Sequence, residues 1–135
     1  MKRSPALVPL VVGLFLLVNV ASAQPIVAVQ DPSSLAGKWK GPGGPGALGN
    51  SPAVVVEQTN NPDGTYEAVV ALSSGQRVPS KGTMKPQPDG TVAYEGQATT
   101  GIWRLYVVNG QRVIRAEAKN KTTGAVTWAE LTEVK

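Results

Sequence analysis

Residues 102 to 119 read "IWRLYVVNGQRVIRAEAK", two β-prone runs on either side of Asn109-Gly110. An Asn-Gly pair suits a type I′ turn, which needs positive φ at both central positions and matches the twist of the strands it joins. Pairing Val108 with Gln111 sets the register. Leu105 then faces Ile114 and Trp103 faces Ala116, all apolar. On the other face Tyr106 meets Val113 and Arg104 meets Arg115. One apolar face and one mixed face are what an antiparallel sheet presents when a single side is buried.

The rest of the chain repeats that grammar. Strands are predicted at "LAGKWK", "AVVVEQ", "TYEAVVAL", "KGTMKPQ", "TVAYEGQ", "IWRLYVV", "QRVIRAEAK" and "AVTWAELTEV". "PDGT" occurs at 62–65 and again at 88–91, each time between two strand runs, as a turn used twice rather than a repeated domain. No segment is long and periodic enough for a helix. Eight strands with short connections read as an all-β, antiparallel, up-and-down barrel, because closure removes the two edges that would otherwise pair with other chains. A two-sheet β-sandwich is the alternative.

The N-terminal residues read differently. Lys2 and Arg3 precede the apolar stretch "ALVPLVVGLFLLVNVA", and Ala21 and Ala23 place small residues where a signal peptidase cuts. Pro9, Gly13 and Asn19 interrupt the stretch, and no basic cluster follows it, so cleavage is expected rather than a membrane anchor. The expected organisation is a signal peptide over 1–23, an extended arm over 24–34 and one barrel domain over 35–135. The expected location is the periplasm or the extracellular space. The net charge of +4 falls by two without Lys2 and Arg3, which leaves little attraction for nucleic acid. With no Cys, packing alone must hold the domain.

With no His either, the commonest general base and metal ligand is missing. Glu57, Glu67, Glu95, Glu117 and Glu130 fall singly on strands and form no close-spaced acid–base pair. The protein is therefore expected not to be an enzyme and to carry no cofactor or metal. Gly41, Gly43 and Gly46 do spell G-x-G-x-x-G, but Pro42 and Pro45 lack the N–H groups a phosphate needs, and a strand follows instead of a helix. The segment Gly41 to Pro52 reads instead as the longest loop, at a barrel mouth, either a lid or a flexible crossover. Asn120-Lys121-Thr122 fits a glycosylation acceptor but reads as an ordinary turn.

"LAGKWKG", with Gly37 and Trp39, resembles the G-x-W opening of lipocalins, and "GKW" with "GTYEA" is similar to the avidin–streptavidin group. The resemblance implies a barrel plugged at one end by Gly37 and Trp39, with a ligand cavity at the other. Lys40 and Gly41 stand where biotin binders place an Asn, and no Arg follows the last strand, where lipocalins carry the one that packs on the Trp. The plan also resembles a bacterial inhibitor of secreted metalloproteases, which implies that Gln24 to Ser34 would enter a protease cleft.

Trp39, Trp103 and Trp128 all lie on strands and are expected in the core. Trp103 is also the candidate ligand contact, with Leu105, Val107, Ile114 and Ala116 on its face and Tyr94 nearby; small side chains there favour a cavity. Arg104 and Arg115 face each other, which needs a neutralising group. Glu117 on the same face could serve, or the pair could meet an anionic partner. Two functions follow: a non-catalytic exported protein holding a small apolar molecule in its barrel, or a protein-binding module acting through its outer face and arm, as a protease inhibitor or an envelope or matrix component.

Overall fold

The Asn-Gly hairpin forms in the register that the sequence implies, from Val108↔Gln111 through Leu105↔Ile114 to Trp103↔Ala116. Asn109 (φ 51°) and Gly110 (φ 78°) supply its two positive dihedrals. The computed structural model describes residues 26–45 and 54–135. The expected leader over 1–23, the start at Gln24 and the Gly/Pro segment beyond Pro45 lie outside the described residues.

After a 3₁₀ turn at Pro32–Leu35, the strands are β1 Gly37–Pro45, β2 Val54–Asn60, β3 Thr65–Leu72, β4 Arg77–Pro86, β5 Val92–Gly96, β6 Thr99–Val108, β7 Gln111–Asn120 and β8 Val126–Val134. Each pairs with its sequence neighbour, and β8 returns to β1, closing an eight-stranded antiparallel barrel. The two "PDGT" turns are hydrogen-bonded alike. Asp63 Oδ1 accepts from Thr65 N at 3.0 Å and Thr65 Oγ1 at 2.7 Å, and Asp89 does the same for Thr91 at 3.0 and 2.7 Å.

The predicted strand boundaries change most at β4 and β1, and β6 begins at Thr99 rather than Ile102. β4 begins at Arg77, so the stretch read as a connection joins the strand, Pro79 included. Pro79 pairs with Val69. Leu72 N donates to Gln76 O and Met84 N to Gly64 O, so the nitrogen of Pro79 points away from β3. On that other side β5 joins β4 only from Gly82 onward, so no ladder bond is missing. β1 likewise runs through Gly41–Pro45 instead of ending as a loop. Its ladder with β8 skips from Lys40↔Thr132 to Gly43↔Ala129, and a Cβ on Gly41 would collide with the Glu130 carbonyl. Glycine here permits a close strand approach, and proline sits where no donor is required.

One end of the barrel is packed. Val29, Leu35, Trp39, Val92, Ile114 and Leu131 are almost wholly buried there. The described part of the segment read as an extended arm takes part in this packing. β5 is short and leaves β6 unpaired beyond Trp103. Val27 N fills the gap by donating to Leu105 O at 2.7 Å, and Val29 N donates to Gly90 O at 3.0 Å. Residues 26–35 thus close the floor rather than reach outward.

Trp39 holds that floor. Its Nε1 donates to the Leu35 carbonyl at 3.0 Å. The guanidinium of Arg112 lies 5.2 Å over its ring. Arg112 also grips both carboxylate oxygens of Glu133, at 2.9 and 2.6 Å, and donates to the Ser34 carbonyl at 2.6 Å. An arginine does therefore cover the first-strand tryptophan, supplied by β7 instead of a segment after β8.

The Arg112 hydrogen bonds hold the Glu133 carboxyl below its ordinary range, and Thr65 and Thr91 do the same for Asp63 and Asp89. A depressed folded-state value contributes stability above the unfolded value that is lost as the pH falls through the folded one. The urea midpoint should therefore be level above about pH 5 and fall below it. Glu133→Gln should lower the midpoint at pH 7 and flatten the acid limb; an unchanged limb would show that the Arg112 bridge does not hold the floor.

Candidate functional site

The opposite end of the barrel is hollow. A cavity of about 330 Å³ lies between the last residues of β1, β3 and β7 and the first residues of β2, β6 and β8. Its walls are small and apolar because Val54, Val70, Ala116, Ala118 and Ala129 occupy inward positions of those strands. Short side chains on one level of an eight-stranded barrel leave the middle unfilled.

Aromatic rings form the base. Tyr94 stacks on Trp103, with centroids 4.9 Å apart and planes 27° from parallel. Tyr66 stands edge-on to both, at 6.0 and 5.4 Å. Tyr94 opposes Gly101 across β5 and β6, and a Cβ on Gly101 would press into the tyrosine ring at 2.8 Å. The glycine makes room for the ring, and the ring covers the bare backbone. Polar atoms come from Gln58, Ser80 and Thr99.

Burial is the main cause that raises the Tyr94 phenol well above its ordinary value; the neighbouring Tyr66 adds to it, and a hydrogen bond with Trp103 opposes it. Burial also raises Tyr66, with Ser80 opposing. Both phenols are neutral at physiological pH. No Asp, Glu, Lys or Arg lines the cavity among the described residues.

The residues singled out from the sequence separate into groups. Tyr94, Trp103 and Ala116 line the cavity together. Leu105 and Ile114, 4% and 0% exposed, lie in the packed floor instead. Val107 must be corrected outright: it is 47% exposed and touches neither the cavity nor the core cluster. Strand alternation gives it the face of Trp103, but β6 runs past the barrel floor before reaching it. Gly37 and Trp39 stand at the closed end, where Trp39 is buried and Gly37 is exposed.

Arg104 and Arg115 do oppose each other. The expected neutraliser Glu117 is replaced by Glu130, directly across β8, whose carboxylate accepts from Arg115 Nε at 2.8 Å. Arg115 also lies 4.8 Å over the Tyr106 ring. Both partners of the ion pair are more than one-third exposed, so the pair adds little to stability. A broader hollow of about 730 Å³ shares Gln58, Ala68 and Ser80 with the cavity and is bordered by charges of both signs, among them Lys38, Lys40, Glu57 and Arg77.

Sequence reasoning missed Tyr66, Gln58 and Trp128 as cavity residues. Tyr66 and Gln58 carried a usable signal, since both fall on the inward alternation of their strands. Trp128 did not. It pairs with Glu117 on β7 and so reads as outward, yet it is buried beside the cavity opposite Gly44, which has no side chain to compete for the space.

A raised folded-state phenol contributes stability present below its unfolded value and lost as the pH rises through the folded one. The protein should hold its urea midpoint up to about pH 10 and lose it above. Tyr94→Phe should make that alkaline loss shallower, and an identical alkaline limb would place the Tyr94 hydroxyl in water.

Neither a protein-family model nor a curated protein sequence matches the chain.

Proposed function

We propose that this chain is an exported, non-catalytic binding protein that holds a small, largely apolar molecule in the hollow end of its barrel. The single observation that carries this reading is the division of the interior. One end is packed with large side chains, while the other keeps a cavity of about 330 Å³ lined mainly by Val and Ala over an aromatic base. That volume is at the small end of ligand pockets, with room for about ten water-sized groups at ~30 Å³ each. The leader-like residues 1–23 and the likeness of "LAGKWKG" to lipocalin and avidin openings support the same reading. The protease-inhibitor alternative called for a free arm, and residues 26–35 are engaged in the barrel floor.

Ala118→Leu tests the proposal by filling the cavity. Titration calorimetry with neutral one- and two-ring aromatics should give one saturable site in the unaltered protein and none in the variant. The variant should unfold at an equal or higher temperature, because the added methyl groups enter empty space; in a packed interior they would cost about 1–3 kcal/mol. Equal binding by both proteins, or a destabilised variant with no binding by either, would overturn the proposal.

A further inference from the structure

Resting on the ligand-holding reading, the hydroxyls of the cavity narrow the chemistry of the ligand. Tyr66 on β3, Ser80 on β4 and Thr99 on β6 all line it. Each side chain falls on the inner face. Tyr66 alternates with Ala68 on β3, Ser80 opposes Ala68 from β4, and Thr99 alternates with Gly101 and Trp103 on β6. Gly96, two residues beyond Tyr94 on the inner side of β5, marks where they gather. A Cβ there would stand 3.0 Å from the Tyr66 hydroxyl oxygen and 3.5 Å from Thr99 Oγ1. Tyr66 also hydrogen-bonds with Ser80. The sealed, unpartnered polar atoms among the described residues are Asn60 Nδ2 and Trp128 Nε1. The three hydroxyls are not of that kind, so they are bonded to one another or open to the cavity.

The rest of the lining fixes what can accompany them. β3 and β4 lie across the closed barrel from β7 and β8, where Ala116, Ala118 and Ala129 give a mainly hydrocarbon wall. The stacked rings of Tyr94 and Trp103 suit a flat body. No Asp, Glu, Lys or Arg lines the cavity among the described residues, so an ionised molecule would be desolvated without compensation. Each hydroxyl has one proton and two lone pairs, so the polar corner holds more acceptors than donors.

We infer that the ligand is an uncharged aromatic alcohol, its hydroxyl in the corner of Tyr66, Ser80 and Thr99 and its ring against the alanines of β7 and β8. Hydrocarbons leave that corner unmatched. Ketones use its few donors and leave its acceptors idle, and carboxylates bring a charge that nothing there balances.

Indane, 1-indanone, 5-indanol and indane-5-carboxylate share a ring system and differ in this property. Titration calorimetry on the full chain should find 5-indanol bound about fivefold or more tighter than indane, with 1-indanone between them and the carboxylate weakest. Tyr66→Phe, and separately Ser80→Ala combined with Thr99→Val, should each bring the affinities of 5-indanol and indane toward equality. Ser80 and Thr99 are only half-buried, so their double variant decides the matter even if Tyr66→Phe fails to fold. 5-Indanol binding no tighter than indane or 1-indanone, or a preference that both variants leave intact, would overturn the inference and leave the cavity reading standing. Binding by none of these compounds would overturn both.

Discussion

The indole of Trp39 donating to the Leu35 carbonyl is the contact on which the rest of the barrel depends. It ties the segment before β1 to the first strand, and Arg112 adds β7 and β8 by covering the ring while gripping Glu133 and the Ser34 carbonyl. Three separated parts of the chain, around Ser34–Trp39, Arg112 and Glu133, thus meet at the closed end. A domain without disulfides has few other ways to fix a barrel end. Arg112 directs two hydrogen bonds to the Glu133 carboxylate and a third to the Ser34 carbonyl, so one guanidinium joins β7, β8 and the segment before β1. Lysine, a single point charge, could not make the same three contacts.

Closing one end so firmly allows the other to stay open. Large residues gather at the floor, where Val92, Ile114 and Leu131 pack around Trp39, and small ones gather above the Tyr94–Trp103 stack. The aromatic triad is the boundary between the two. Its rings bury enough surface to carry stability on their lower side. On their upper side they offer flat faces to the cavity. The same three side chains therefore pack against the floor and line the hollow.

Much of this is legible in the sequence. Asn109-Gly110 dictated a turn, the turn dictated a register, and the register sorted apolar from mixed faces correctly along β6 and β7. What resisted reading has physical causes. Proline and glycine signal loops because most strands reject them, yet Pro79 and Gly41 sit where a ladder bond is absent or a neighbour comes too close for a side chain. Val107 and Trp128 defeated alternation in opposite ways. Alternation reports the side of a sheet, not how far along the strand the interior extends, and not whether a neighbouring glycine leaves space for a large ring. Ion-pair choice was hidden as well, because Glu130 is distant from Arg115 in sequence and adjacent only after β7 pairs with β8.

The closure of β1 on β8 has a consequence for the order in which the molecule can be made. Lys38 finds its partner Val134 almost at the other terminus. Every other strand pairs with a neighbour one turn away and gains its contacts locally. The seam alone carries the entropy of closing the whole barrel segment into a loop, and Arg112 and Glu133 cannot clasp the floor until it is shut. A nascent or unfolded chain therefore has an open, unplugged sheet until its last strand arrives. The first strand to appear is the last to be satisfied.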